Sequence, residues 1–180
     1  MSQANLLALL WGWAEAVFFF IVPDVWLSLL ARKSLRHALV ASLYALAGAL
    51  CGGILIYLWA SQDPATVTAL IEKVPAISSG MIGQVRADLE RQGAWAIITG
   101  PLQGIPYKTF ASQAPEAGIP LATLLAYSIP ARLLRFIAVT LLCYAGVRLL
   151  ERWFSPSLVL RALLACWIAF YGFYFWHMPG

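Results

Sequence analysis

Residues 37–60 form a run of 24 positions without a single Asp, Glu, Lys or Arg. No other feature constrains the fold as strongly. A helix needs about 20 mostly apolar residues to cross a hydrocarbon core roughly 30 Å thick, and this run meets that length without a charge. Composition agrees: the 180 residues are 62% hydrophobic and 11% charged, whereas soluble domains are about 25% charged. An ordinary soluble enzyme and an acidic disordered chain are both excluded. The 12 Lys/Arg against 8 Asp/Glu read as basic loops facing the cytoplasm, not as a nucleic-acid surface. The length suits one membrane domain, residues 1–180.

Three further stretches are apolar, and a fourth is broken. Residues 5–31 hold Glu15 and the pair Pro23-Asp24. They are too few for two crossings and suit a dip and return, with a turn near Val22-Pro23-Asp24. Residues 120–147 form a second span, interrupted by Pro130, Arg132 and Arg135, and residues 158–177 a third. The aromatic residues from Trp167 to Trp176 read as an interfacial belt. Residues 93–118 are broken by Gly100-Pro101, Gly104-Ile105-Pro106 and Pro115-Glu116. Proline removes a backbone donor and clashes with the preceding helical turn. Irregular backbone at membrane depth survives only inside protein or beside a wet cavity. This segment therefore reads as a hairpin turning around Gly104 to Pro106. Pro23, Gly104 and Pro106 are the expected turn residues.

Residues 61–92 are polar, with Val67, Leu70, Ile71 and Val74 at helical spacing. They predict one or two short amphipathic helices on the membrane surface or over the bundle, with a solvated linker as the alternative. The expected fold is an all-α polytopic membrane protein. It has three spanning helices, two oppositely facing re-entrant hairpins in an inverted-repeat-like plan, and a short amphipathic extramembrane segment. Arg32, Lys33 and Arg36 form one basic cluster; Arg148, Arg152 and Arg161 form another. Placing both clusters in the cytoplasm puts the N-terminus inside and the C-terminus outside. Residues 1–10 carry no Lys or Arg, and no small-residue cleavage site follows, so a cleaved signal is not expected.

Five ionisable residues lie within the apolar or hairpin segments: Glu15, Asp24, Lys108, Arg132 and Arg135. Each costs about 2.5–3.5 kcal/mol on insertion scales. Arg132 and Arg135 are three apart and share a helical face. Arg132 lies about 18 Å along its helix from Pro120, near the middle of the core. Mutual compensation is the simplest account, with the two acids meeting the three bases across a shared cavity. Such a cluster binds an anionic group or relays protons; the alternative is an ion-pair network that only fixes the fold. Gly48-x-x-x-Gly52 is a small-residue motif that seats a neighbouring helix. Cys51, Cys143 and Cys166 read as small buried hydrophobes. No nucleophile–base pair or metal cluster can be assembled, so neither an enzyme nor a cofactor is expected.

The chain resembles the DedA family, whose members carry the VTT, or SNARE-associated, membrane domain. The resembling pieces are Glu15-Ala16-Val17-Phe18 with Pro23-Asp24, the run from Gly100 to Phe110 with Lys108, the small residues of Ala114-Pro115-Glu116-Ala117-Gly118, and a helix containing Arg132. Together they cover roughly residues 10 to 150. The resemblance implies a multi-pass bacterial inner-membrane protein with two opposed re-entrant hairpins. Members are associated with moving lipids between leaflets, undecaprenyl phosphate and phospholipids among them, and some depend on proton-motive force. The family's functional residues are acids in the first hairpin, matched by Glu15 and Asp24, and arginines in the second. Lys108 stands near the second arginine's place. The first has no counterpart, since Pro101 or Leu102 stands there, and Arg132 and Arg135 are candidates for its role.

The preferred function is a flippase or scramblase for an anionic or phosphate-bearing membrane lipid, with proton coupling through the acids and homo-oligomerisation left open. Two other readings stand beside it. One is a proton-coupled carrier of a small soluble solute. The other is a non-transporting assembly protein.

Overall fold

The computed structural model describes residues 2–177, all helical or connecting turns. Helix α1 (Gln3–Val17) starts at Ser2, whose side chain accepts from the Asn5 amide, and α2 (Asp24–Lys33) starts at Pro23. Helix α3 (Leu35–Gln62) begins at Ser34, whose hydroxyl accepts from the His37 amide. Two short helices follow. Helix α4 (Pro64–Ile71) is capped by Asp63 with Pro64 in its first turn, and α5 (Ser79–Gln92) is capped by Ser78. Serine and aspartate suit these positions because their oxygens satisfy amides that have no partner within the helix. Gly93, at φ 58°, ends α5. A single 3-10 turn, Gly93–Trp95, leads into α6 (Ala96–Leu102), α7 (Tyr107–Gln113), α8 (Leu121–Leu150) and α9 (Pro156–His177).

Helices α3, α8 and α9 are each long and apolar enough to cross a membrane. At 1.5 Å per residue they measure about 42, 45 and 33 Å, against a core of roughly 30 Å. Helices α1 and α2 measure about 22 and 15 Å, and α6 and α7 about 10 Å each, so none of the four crosses alone. The molecule is a multi-spanning helical bundle with two broken helix pairs. Helix α8 runs through Pro130 without ending. The expected interruption there is therefore a missing hydrogen bond and not a break.

Helix α1 lies parallel to α3 along a seam of small residues. A Cβ added at Gly12 would overlap the Ala45 carbonyl, at Gly48 the Leu9 carbonyl, and at Gly52 the side chain of Ala16. Ala8, Ala41, Ala45 and Ala49 are fully buried along the same seam. With lipid on the outside there is no hydrophobic gain in bringing helices together, so close backbone approach must supply the attraction. The Gly48/Gly52 motif does seat a neighbour, and that neighbour is α1. Helix α2 then returns antiparallel to α3.

The ends of the bundle are tied differently. Arg32, in the last turn of α2, pairs with Glu151 just after α8 at 3.8 Å. At the other end the Tyr57 hydroxyl donates to the Ile119 carbonyl at 2.9 Å. Helices α3 and α8 are therefore antiparallel, and Ser42 and Thr140 meet between them at 3.4 Å. Helices α4 and α5 pack over the α6–α7 pair. Val67, Ile71, Ile82, Val85 and Leu89 join Tyr107, Phe110 and Ala111 in one buried cluster. Of the alternatives for residues 61–92, the bundle cover is the one found. Leu70, expected on the apolar face, is instead largely exposed.

The cysteines depart from expectation. Cys51 and Cys166 are exposed and Cys143 is half-buried. The spanning helices turn much of their apolar surface outward, so an apolar neighbourhood in sequence does not mean a buried one.

Candidate functional site

The break between α1 and α2 leaves half-buried irregular backbone over residues 19–22, and polar groups withdrawn from water need partners. Three side chains provide them, one from α1 itself and two from distant helices. Trp11 Nε1 donates to the Ile21 carbonyl at 2.9 Å. The Val22 amide donates to the Tyr171 hydroxyl of α9 at 2.8 Å. Lys108 Nζ, from the first turn of α7, donates to the Phe19 carbonyl at 2.9 Å. The two broken pairs thus meet at their tips. The second tip is formed by Gly104, at φ 86°, a conformation glycine adopts without strain, and by Pro106, which starts α7.

Glu15 sits in the last turn of α1, where the partial negative charge of the helix end disfavours a carboxylate. Arg132 of α8 answers it in a direct ion pair. Both side chains are at most 4% exposed. The guanidinium lies over the rings of Tyr107 at 4.7 Å and Phe136 at 5.2 Å. Asp24 is the first residue of α2, at the favourable positive end of that helix. Arg135 reaches it with two nitrogens, Nη2 and Nε, the latter at 3.2 Å; both donate to Oδ2. Oδ1 of Asp24 has no hydrogen-bond partner among the described residues, and the same holds for Tyr107 Oη and Arg132 Nε. The helical spacing of Arg132 and Arg135 therefore serves two acids on two helices of one broken pair.

A cavity of about 670 Å³ opens beside these pairs. Glu15, Asp24, Lys108 and Arg135 contribute its charged lining, and Gly104 and Pro106 lie at its edge. The rest of the lining is mostly apolar and aromatic, and includes Val139 and Leu142 of α8 and Trp167, Phe170 and Tyr174 of α9. The volume falls within the roughly 300–1,000 Å³ of small-molecule sites.

All five charges singled out from sequence come together, four of them on the cavity. Arg132 stands behind Glu15 and does not line the cavity. Pro23 starts α2 and also lies off the cavity wall. Sequence reasoning missed Trp11, Tyr107 and Tyr171. Nothing in a single sequence distinguishes an aromatic residue that satisfies a distant backbone group from one that faces lipid. The aromatic run of α9 is accordingly more than a belt. Trp167 Nε1 donates to Ser28 Oγ at 2.9 Å, and Phe175 meets Phe20 with ring centroids 5.0 Å apart. Trp176 is exposed as a belt residue should be. No protein-family model, curated protein or solved structure matches the chain.

Proposed function

We propose that the protein is a membrane transporter of the DedA type that flips or scrambles an anionic lipid or lipid-linked phosphate. The observation that carries this reading is the mixed lining of one cavity: four charged side chains together with aliphatic and aromatic groups of α8 and α9. A headgroup oxyanion would sit on the cations while the acyl chains run along α9 towards the bilayer. Glu15 and Asp24 balance the cations when no ligand is bound and are available for proton coupling. A small soluble solute uses the charges as well but leaves the apolar lining without a role, so the lipid reading is favoured over a soluble-solute carrier. A purely structural ion-pair network accounts for neither the cavity nor the unpartnered Asp24 oxygen.

In this account α1–α2 and α6–α7 are re-entrant hairpins from opposite faces of a bacterial inner membrane. Two facts support that arrangement. The Arg32–Glu151 contact gathers the basic residues around α2, α3 and the end of α8 at one end. The other end, around α4 and α5, holds only three basic residues, Lys73, Arg86 and Arg91, beside Asp63, Glu72, Asp88, Glu90 and Glu116. By the positive-inside rule the first end is cytoplasmic, together with the N-terminus, and the C-terminus is outside. Membrane lipids are then the partners. The family's missing first arginine is answered by Arg135, which reaches the cavity from α8.

The test is a vesicle assay. Full-length protein is reconstituted in phosphatidylcholine vesicles carrying fluorescent phosphatidylglycerol, and the label reaching the outer leaflet is bleached with a reductant. The unchanged chain is expected to speed the loss of protected label. Glu15→Gln, Arg132→Ala and Arg135→Gln are expected to slow it. Undiminished lipid movement in the first two variants would overturn the site assignment, and no movement by the unchanged chain would overturn the function.

A further inference from the structure

The two ion pairs are built alike in sequence but differ in the fold. The Glu15–Arg132 pair is closed, with both side chains nearly inaccessible and the guanidinium against Tyr107 and Phe136. The Asp24–Arg135 pair is open. Both residues line the cavity, and the Arg135 side chain is 26% exposed. Arg135 spends two N–H groups on one oxygen of Asp24, leaving Oδ1 bare although Asp24 is only 2% exposed. Arg–carboxylate pairs are commonly two-on-two, and both pairs here fall short of that; only Asp24–Arg135 has its guanidinium on the cavity. Lys108 completes the asymmetry. Its amine has one acceptor among the described residues, the Phe19 carbonyl, whereas an ammonium carries three donors. It faces the same cavity. Three cations against two carboxylates leave one positive charge in the interior, where an unbalanced charge is costly.

We propose that Asp24 holds the place of the ligand's anionic group. A singly charged phosphodiester headgroup docks on Arg135 and Lys108, taking guanidinium contacts now given to Asp24, while Glu15–Arg132 remains closed as framework. The inference rests on the transport reading above and adds the ligand's charge and its contacts. One negative charge brings the cluster to neutrality with both carboxylates ionised. The guanidinium supplies a planar fork that fits two phosphate oxygens, and the ammonium a point charge beside it. Arg135, and not the more deeply buried Arg132, is then the residue that sets headgroup choice.

The experiment is calorimetric titration of the full chain in uncharged detergent micelles with three probes: short-chain phosphatidylglycerol, short-chain phosphatidylcholine and inorganic phosphate. Phosphatidylglycerol is expected to bind most tightly. Asp24→Asn removes the competing carboxylate and tightens phosphatidylglycerol binding by about tenfold, the scale of one charge-assisted hydrogen bond. Arg135→Gln weakens it by about tenfold or more on the same scale. Glu15→Gln gives no such gain and lowers the melting temperature. Asp24→Ser provides a second uncharged replacement, and size-exclusion profiles confirm that each variant is folded. If either Asp24 variant, eluting as the unchanged chain does, binds phosphatidylglycerol equally or more weakly, this inference falls and the transport reading stands. Inorganic phosphate binding more tightly than the lipid would also overturn it, by assigning the position to a soluble oxyanion. An unchanged chain that binds none of the probes would overturn the transport reading as well.

Discussion

Arg132→Met tests the energetic role of the closed pair. The change removes a guanidinium but leaves a side chain that fills much of the same space beside Tyr107 and Phe136. It strands Glu15, whose side chain is 4% exposed. Removing one partner of a buried pair costs about 3–5 kcal/mol, because the remaining charge is left without compensation. The exposed Arg86–Glu116 pair, at 2.9 Å with both side chains more than 40% exposed, contributes at most about 1 kcal/mol by the same comparison. The double change Glu15→Met/Arg132→Met removes both charges, and replacing a buried pair by apolar groups is often neutral or stabilising. The double variant should therefore regain most of what the single variant loses, a coupling of about 3 kcal/mol. The assay is equilibrium unfolding in mixed micelles by added dodecyl sulfate, with Glu15→Met completing the cycle. Single-variant losses below about 1 kcal/mol, or losses that simply add, would refute the argument that this pair is dry and mutually compensated.

Three further outcomes are expected. Gly48→Leu drives a side chain into the Leu9 carbonyl of α1 and should destabilise by at least the roughly 1–3 kcal/mol typical of overpacking, read in the same unfolding assay. Tyr171→Phe removes the acceptor of the Val22 amide; a buried unsatisfied donor costs about 1–3 kcal/mol, and hydrogen exchange at Val22 should rise while exchange in α3 does not. Asp63 caps α4 beyond the end of the long apolar α3, and hydrogen bonds from the Thr66 side chain and amide hold its carboxyl below the ordinary value of 3.8. A lowered folded-state value means that the cap's contribution is full above that ordinary value and is lost as pH falls through the lower one. The acid-side loss of stability should therefore be shallower in Asp63→Asn than in the unchanged chain.

The spans and breaks were legible because membrane depth punishes irregular backbone and charge so heavily that any occurrence in sequence is informative. The charge-free run of α3, the Pro23 and Gly104–Pro106 turns and the five charges within apolar or broken segments are of this kind. What was not legible depends on which way a side chain points. The small-residue seam became an α1 contact only once Gly12 was seen against Ala45. The partner of each acid could not be chosen, since helical spacing puts Arg132 and Arg135 on one face without saying which acid each one meets. Exposure of Cys51 and Cys166 was misread because apolar sequence in such a chain faces lipid as readily as core. The support of the first break by Lys108 and Tyr171 is long-range, and no local pattern announces it.

Both broken helix pairs are proposed to turn back inside the membrane, from opposite sides. Single cysteines placed at Asn5, Ser34, Gln92 and Glu116, in a chain with Cys51, Cys143 and Cys166 changed to Ala, can be labelled in sealed vesicles by a reagent that does not cross the bilayer. Asn5→Cys and Ser34→Cys are expected to react from one side, and Gln92→Cys and Glu116→Cys from the other. Asn5→Cys and Ser34→Cys reacting from opposite sides would mean that the first pair passes through the bilayer, and the site would lose the geometry that assembles it.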